Sequence, residues 1–177
     1  HFEQIDVAML IEDCIALTQP YWYNEPRRQG ITIALEKEVG DVPSIMGSPT
    51  ELREVFVNLI LNSVQAMPEG GTLSFAVHQN ADEQVRIDVA DTGVGMAADV
   101  KARIFEPLFT TKGRDGTGMG LAVSYGIVQE HDGNIAVDTA PDEGTTFTLS
   151  FPPASRGAAP PPRGSSSRSW PAPRASG

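Results

Sequence analysis

Cysteine occurs once in 177 residues, at Cys14. A single thiol makes no internal disulfide and no thiolate metal cage, and fits a reducing compartment. Long apolar runs are also missing: nothing approaches the about 18–20 residues of a membrane-crossing helix. The first residues, HFEQIDVAML, lack the basic n-region and small-residue cleavage site of a secretory signal. Basic charge is scarce, with 13 Lys and Arg against 23 Asp and Glu and a net charge of −10. Arg156, Arg163, Arg168 and Arg174 all follow Pro152, where there is no acid, so residues 1–151 hold 9 basic and 23 acidic side chains. Without a basic stripe, a nucleic-acid surface is excluded. There are no internal repeats, and the length suits one domain with a sizeable core.

Glycine, by contrast, is concentrated. Between Asp91 and Leu121 the chain reads DTGVGM, then IFEPLFTTK, then GRDGTGMGL. Glycines at this density let backbone approach a ligand and adopt positive φ without strain. Amide-lined loops and helix N-termini bind anions, phosphates above all. The stretch therefore reads as a nucleotide site, although it matches neither the P-loop, lacking G-K-[ST], nor the dinucleotide G-x-G-x-x-G. An acidic domain that holds an anionic nucleotide needs a metal ion and local amides to offset repulsion. Asp91 is either simple D-T-G turn chemistry or a carboxylate that accepts the exocyclic amine of adenine. A charge-assisted bond of that kind is worth roughly 1.5–3 kcal/mol.

The remaining elements follow from periodicity. Residues 5–21 predict a helix with Asp6 at the N-cap and Val7, Leu10, Ile11, Cys14, Thr18 and Tyr21 on one face, broken by NEPRRQG. A strand is expected over 31–36 and a short one near Ile45. Ser48-Pro49-Thr50-Glu51 starts a helix with Ser at N-cap, Pro at N1 and Glu at N3, running to about Ala66. Its apolar face is Leu52, Val55, Phe56, Leu59, Ile60 and Ser63. Glu54, Asn58 and Asn62 line another side at i, i+4 and i+8. Glu54 alone reads as solvated surface. Two asparagines in a helix interior are less ordinary, because Asn is a mediocre helix former, and their amide oxygens suit Mg²⁺. Strands at 72–78 and 84–90 form a hairpin that delivers Asp91. A short helix over 97–104, a mobile loop over 107–117 and a helix over 118–131 closed by Gly133 at C′ follow. A last hairpin pairs 134–139 with 145–151. The Pro-, Ser- and Arg-rich residues 152–177 cannot bury enough surface to order themselves, and read as a disordered tail or linker.

The stretches ELREVFVNLILNSVQAM, DTGVGM, IFEPLFTTK and GTGMGLAVSYGIVQEHDGNI, in this order and spacing, resemble the N, G1, F and G2 boxes of the sensor histidine kinase catalytic domain. The resemblance covers about residues 2–151. It implies the ATP-binding fold shared with gyrase, a class of heat-shock chaperone and mismatch-repair MutL. That fold is α+β, a two-layer α/β sandwich of the Bergerat type, with a mixed, mostly antiparallel sheet of about five strands under three helices.

The resemblance also implies roles. ATP and Mg²⁺ are the expected substrate and cofactor. Asn58 and Asn62 would hold the metal, with Glu54 on the same face, and these three with Lys112 would form the catalytic group. Asp91 would bind the adenine amine, assisted by Gly95, with Gly93 and Met96 beside it. Phe105 and Phe109 would anchor a lid. Thr110, Thr111 and Lys112 would lie near the phosphates, and Gly116, Thr117, Gly118, Met119, Gly120 and Leu121 would complete it. Hydrolytic relatives carry a water-activating Glu where this chain has Asn58, which is no base, so transfer to an acceptor is expected rather than hydrolysis.

The implied acceptor is a histidine followed by an acid, on a dimerisation hairpin of the same parent kinase. His131-Asp132 imitates that pair, but the helix stops there and a helix-end role is expected. No acceptor histidine is therefore expected in this chain. The further expectations are a downstream response regulator as partner, no nucleic acid and no membrane contact. The fragment should be monomeric and cytoplasmic, whether or not its parent is membrane-anchored. The rival readings are an anti-sigma-factor-type serine kinase and a non-catalytic nucleotide-sensing module.

Overall fold

The protein is described from a computed structural model, which covers residues 1–107 and 120–154. Its elements are β1 (Glu3–Ile5), α1 (Val7–Leu17), a π-helical turn (Pro20–Asn24), α2 (Glu25–Arg28), β2 (Ile33–Val39), β3 (Ile45–Gly47), α3 (Pro49–Gln65), β4 (Gly71–Gln79), β5 (Val85–Asp91), α4 (Ala98–Lys101), α5 (Gly120–Glu130), β6 (Asn134–Thr139) and β7 (Thr145–Phe151). Five strands form one sheet in the order β2-β4-β5-β7-β6, and β1 pairs with β3 in a separate two-stranded sheet. Only β2 and β4 run parallel within the larger sheet; its other pairs are antiparallel.

Alternation along the strands decides which face is covered. Leu73, Phe75 and Val77 of β4, Val85, Ile87 and Val89 of β5, and Phe147, Leu149 and Phe151 of β7 are all buried. Between them stand Ser74, Ala76, Arg86, Asp88, Thr146, Thr148 and Ser150, half-buried on the opposite face. An antiparallel sheet with one face packed and one polar face has this pattern. The apolar face lies under α1, α3 and α5. α3 is the middle helix, touching α1, α5 and β5. Its stripe of Leu52, Val55, Phe56, Leu59 and Ile60 is buried completely or nearly so, and each such side chain contributes about 1.5–3 kcal/mol. The α+β sandwich implied by the four boxes is the observed fold.

Ser48 caps α3 as its sequence dictates: its Oγ accepts the Glu51 N–H at 3.2 Å. Asp6 caps α1 in the same way, accepting from the Met9 N–H at 3.3 Å.

Four local expectations need correction. The first helix does not continue to Tyr21; it stops at Leu17, where Thr18 turns its hydroxyl back onto the Cys14 carbonyl at 2.7 Å. Tyr21 is exposed. The break comes before NEPRRQG rather than at it: Pro20 opens a π-helical turn and Glu25–Arg28, within NEPRRQG, is helical. The turn is held by the Trp22 indole N–H on the Ile15 carbonyl at 3.0 Å and by Arg27 over the Tyr23 ring at 4.3 Å. Proline tolerates both first-turn positions because its missing N–H is an orphan there anyway. The left-handed residue closing α5 is Asp132, at φ 58, not Gly133. Gly133 N–H donates to Val128 O at 2.9 Å and Asp132 N–H to Gln129 O at 3.1 Å, a Schellman closure with Asp132 at C′. Gly133 answers a different need, because a Cβ there would stand 2.7 Å from the Phe151 ring. The helix expected over 97–104 is shorter than its pattern, spanning only Ala98–Lys101.

Candidate functional site

Asp91 ends β5 opposite Thr145 of β7 and beside Leu73 of β4. It is 7% exposed, the one buried acid among the described residues. Gly93 N–H donates to one carboxylate oxygen at 2.8 Å. Burial pushes the Asp91 carboxyl above its ordinary range, while the Gly93 N–H, the Ser63 side chain and the Thr145 backbone favour the charged form and pull the other way. Ser63 acts at a range beyond a formed hydrogen bond: its Oγ is buried and has no hydrogen-bond partner among the described residues. A buried acid near an unsatisfied buried hydroxyl puts two polar groups in an apolar core, and both gain from a polar ligand edge.

The loop after Asp91 is clamped from two sides. Val94 N–H donates to Ala66 O at the end of α3 at 2.9 Å, and Asp142 N–H in the β6–β7 turn donates to Val94 O at 2.7 Å. Met96 N–H donates to the Thr139 hydroxyl at 3.0 Å, which donates in turn to Gly144 O at 2.9 Å. The glycines make these approaches possible. A Cβ at Gly93 would overlap the Ala66 carbonyl, and one at Gly95, which sits at φ 69, would overlap the Ala140 carbonyl. The G1-like loop is thus a rigid rim that fixes Asp91.

α3 carries the second group. Asn58 turns its amide nitrogen onto Gly120 O and Ser124 Oγ of α5, both at 3.4 Å. With the nitrogen engaged, the Asn58 oxygen is its remaining acceptor. Asn62 is half-buried one turn on, and Glu54 is exposed one turn before. Among the described residues no cluster of three His, Cys, Asp or Glu side chains could hold a metal. A cation here would depend on amide oxygens and on ligand phosphates. Mg²⁺ tolerates that arrangement, since it binds through few protein groups and keeps waters and phosphate oxygens. The donor set fits the ion on those terms.

Of the other expected residues, Phe105 is half-buried against Tyr125, ring centroids 5.2 Å apart. Leu121 is half-buried against the core. Gly120 begins α5, and a Cβ there would be 3.8 Å from Asn58, an ordinary contact. Phe109, Thr110, Thr111, Lys112, Gly116, Thr117, Gly118 and Met119 lie outside the described residues, as does most of the expected loop over 107–117 and the tail from 155 on. Residues 152–154 are described, and Ala154 N–H donates to Ser44 O at 2.7 Å.

Three residues go beyond the expected set. Ser63 counts as an apolar-face position by periodicity, yet its hydroxyl stands by Asp91; a serine in an otherwise apolar stripe is the available signal. Ser124 is fully buried beneath Asn58. Thr145 is paired to Asp91 by sheet register, which no local pattern reveals.

Residues 47–155 match the family described as histidine kinase-, DNA gyrase B-, and HSP90-like ATPase. Sporulation kinase E of Bacillus subtilis is 40% identical over 151 residues, which is 85% of this chain and 20% of that protein. The sensor histidine kinase ZraS of Klebsiella oxytoca is 44% identical over 108 residues, 61% of this chain and 23% of that protein. The chain therefore spans about a fifth to a quarter of these relatives. Among solved structures, the catalytic domain of histidine kinase ThkA in a nucleotide-free form superposes with a TM-score of 0.72 at 26% identity, covering 86% of this chain and 97% of that one. Full-length ShkA in complex with AMPPNP superposes at 0.73 and 28% identity, covering 85% of this chain and 31% of that one.

Proposed function

The chain belongs to the histidine kinase-, DNA gyrase B-, and HSP90-like ATPase family, and from that premise we propose that residues 1–151 are the ATP-binding catalytic domain of a sensor histidine kinase. It binds Mg·ATP and transfers the γ-phosphoryl group to a histidine carried on a separate dimerisation hairpin. Residues 152–177 serve as a linker or tail. The observation that carries the reading is the buried Asp91 carboxylate near the unsatisfied Ser63 hydroxyl, a pair suited to a base edge bearing an amine. Asp91 accepts the exocyclic amine of adenine, and Gly93, Gly95 and Met96 form the rim that keeps the carboxylate in place. Asn58 and Asn62 hold Mg²⁺, which when bound neutralises phosphate charge that the acidic domain would otherwise repel. Phe105 and Phe109 would anchor the phosphate-binding stretch, to which Thr110, Thr111, Lys112, Gly116, Thr117, Gly118, Met119, Gly120 and Leu121 are assigned.

The chemistry is an in-line displacement. The acceptor imidazole nitrogen forms a bond to the γ-phosphorus as the bond to the β,γ-bridging oxygen breaks, and ADP leaves. Positioning and charge neutralisation carry most of the rate. Asn58 has no basic group, so water activation is not supplied from that position. Among the described residues no helix is long and apolar enough to cross a membrane, and this segment acts in the cytoplasm of its parent, upstream of a response regulator. The test is incubation of the domain with radiolabelled ATP, Mg²⁺ and a purified acceptor hairpin from a related sensor kinase. Label that is stable to base and labile to acid supports the reading. Acid-stable label on serine, or none under conditions where nucleotide binds, contradicts it.

A further inference from the structure

His131 lies outside the nucleotide site, yet it is 3% exposed with both ring nitrogens engaged by backbone. Its Nε2 accepts the Ser48 N–H at 3.0 Å, and its Nδ1 meets the Ile127 carbonyl at 2.8 Å. A carbonyl only accepts, so Nδ1 carries the proton and the neutral ring is fixed in one tautomer. Ser48 is the N-cap of α3, and Ile127 lies in the last turn of α5. The ring therefore ties the start of one helix to the end of the other. It also takes the place that Glu51 would hold in a reciprocal capping box, where the N3 side chain would accept the Ser48 N–H.

The second tie between these helices is Asn58, which reaches Gly120 O and Ser124 Oγ. Ser48 and Asn58 are ten residues apart on α3, about 15 Å at 1.5 Å per residue. Their partners run in the reverse order along α5, so the helices are antiparallel and fastened at two points. A packed pair pinned twice has little freedom to slide or rotate. The His131 pin is itself wedged. Phe2 stacks on the ring at 4.4 Å and 22°, and Phe151 meets it edge-on at 6.5 Å. Gly47 of β3 leaves it room, since a Cβ there would stand 2.7 Å from Cδ2. Glu3 pairs with Gly47 in the small sheet, so the segment bearing Phe2 is held over the same ring.

We infer that His131 is a positioning residue for the metal-binding edge of the site: by fixing the α3–α5 register from the far end, it sets how Asn58 is presented. The inference rests on the proposed function for its consequence, but not for its geometry. A merely space-filling histidine would be replaced equally well or badly by any polar side chain of similar bulk. A positioning histidine depends on which nitrogen is mimicked. In His131→Gln the side-chain oxygen reaches the Nε2 level and keeps the Ser48 N–H satisfied. His131→Asn stops at the Nδ1 level and leaves that part-buried N–H without its acceptor.

The experiment records the Asn58 side-chain amide resonances by NMR in the nucleotide-free wild type, His131→Gln, His131→Asn and Phe2→Ala, with folding of each checked by its amide spectrum. The expected result is that the Asn58 pair shifts in His131→Asn and in Phe2→Ala but stays near its wild-type position in His131→Gln. Titration of a non-hydrolysable ATP analogue then shows a several-fold loss of the Mg²⁺-dependent part of affinity in His131→Asn, with adenine-over-guanine preference unchanged. Equal shifts in the Gln and Asn variants, or none in either, overturn the inference. A wild type that binds no nucleotide defeats the proposed function instead, and the resonances still decide the role of His131.

Discussion

At the scale of single residues, Asp91 concentrates the argument. Its burial works against the charged form, and the folded carboxyl titrates above its ordinary value of 3.8. In the pH window between those two values the folded state binds more protons than the unfolded one, so stability falls as pH rises. The cost is complete above the folded value and absent below the unfolded one. Asp91→Asn removes it while its side-chain oxygen still accepts the Gly93 N–H. The variant is therefore expected to melt no lower than wild type at neutral pH, to lose the decline in stability above about pH 4, and to lose adenine recognition. Thermal melts across pH with parallel binding assays check this; a variant that melts well below wild type would mean that Asp91 is structural. Asp91 is legible in the sequence because it ends an alternating strand and opens D-T-G-x-G. Ser63 is not, since a serine on an apolar stripe looks like a tolerated core position until the sheet brings Asp91 against it.

Among elements, α3 is the most legible and the helical stretch over residues 20–28 the least. Ser-Pro-Thr-Glu announces the start of α3 through the Ser48 cap, a local interaction that sequence spacing captures, while the other half of the expected capping box is taken by His131 from far along the chain. Replacing Ser48 by Ala removes that acceptor and should cost about 0.5–2 kcal/mol by denaturant unfolding, with the slope of the transition unchanged. A cost near zero would show that the His131 bond to the Ser48 N–H suffices alone. Gly133 drew attention as the C′ residue of α5, but Asp132 takes the left-handed conformation. The closing hydrogen bonds make 132 the C′ residue, and Gly133 meets a separate demand: Phe151 leaves no room for a Cβ there. The same limit explains residues 18–28. Pro20 falls inside the expected first helix and Pro26 inside the expected break, yet both stand in first turns where proline is tolerated. What periodicity does not contain is which element a side chain meets from far along the chain, as with Asn58 and Ser124 or Asp91 and Thr145.

For the molecule as a whole, the telling feature is an anion site on an acidic domain. With 23 acidic and 9 basic side chains over residues 1–151, the long-range field opposes a nucleotide triphosphate. Without Mg²⁺, added salt should therefore tighten binding by screening repulsion over about 8–10 Å, the reverse of a basic phosphate pocket. Weaker binding as salt rises would show that local cations outweigh the net charge. The fold supports this division of labour. Strands and the clamped loop set Asp91, while Asn58 of α3, held by Gly120 and Ser124 of α5, stands at the edge where the proposed phosphates and metal would lie.

The most direct test of the central claim is calorimetric titration of the wild-type domain with a non-hydrolysable ATP analogue, with Mg²⁺ present and then chelated, alongside the matching guanine analogue. The account predicts binding of the adenine compound that weakens clearly without Mg²⁺, and little or no binding of the guanine compound. Equal affinity for both bases, or binding indifferent to Mg²⁺, would contradict it.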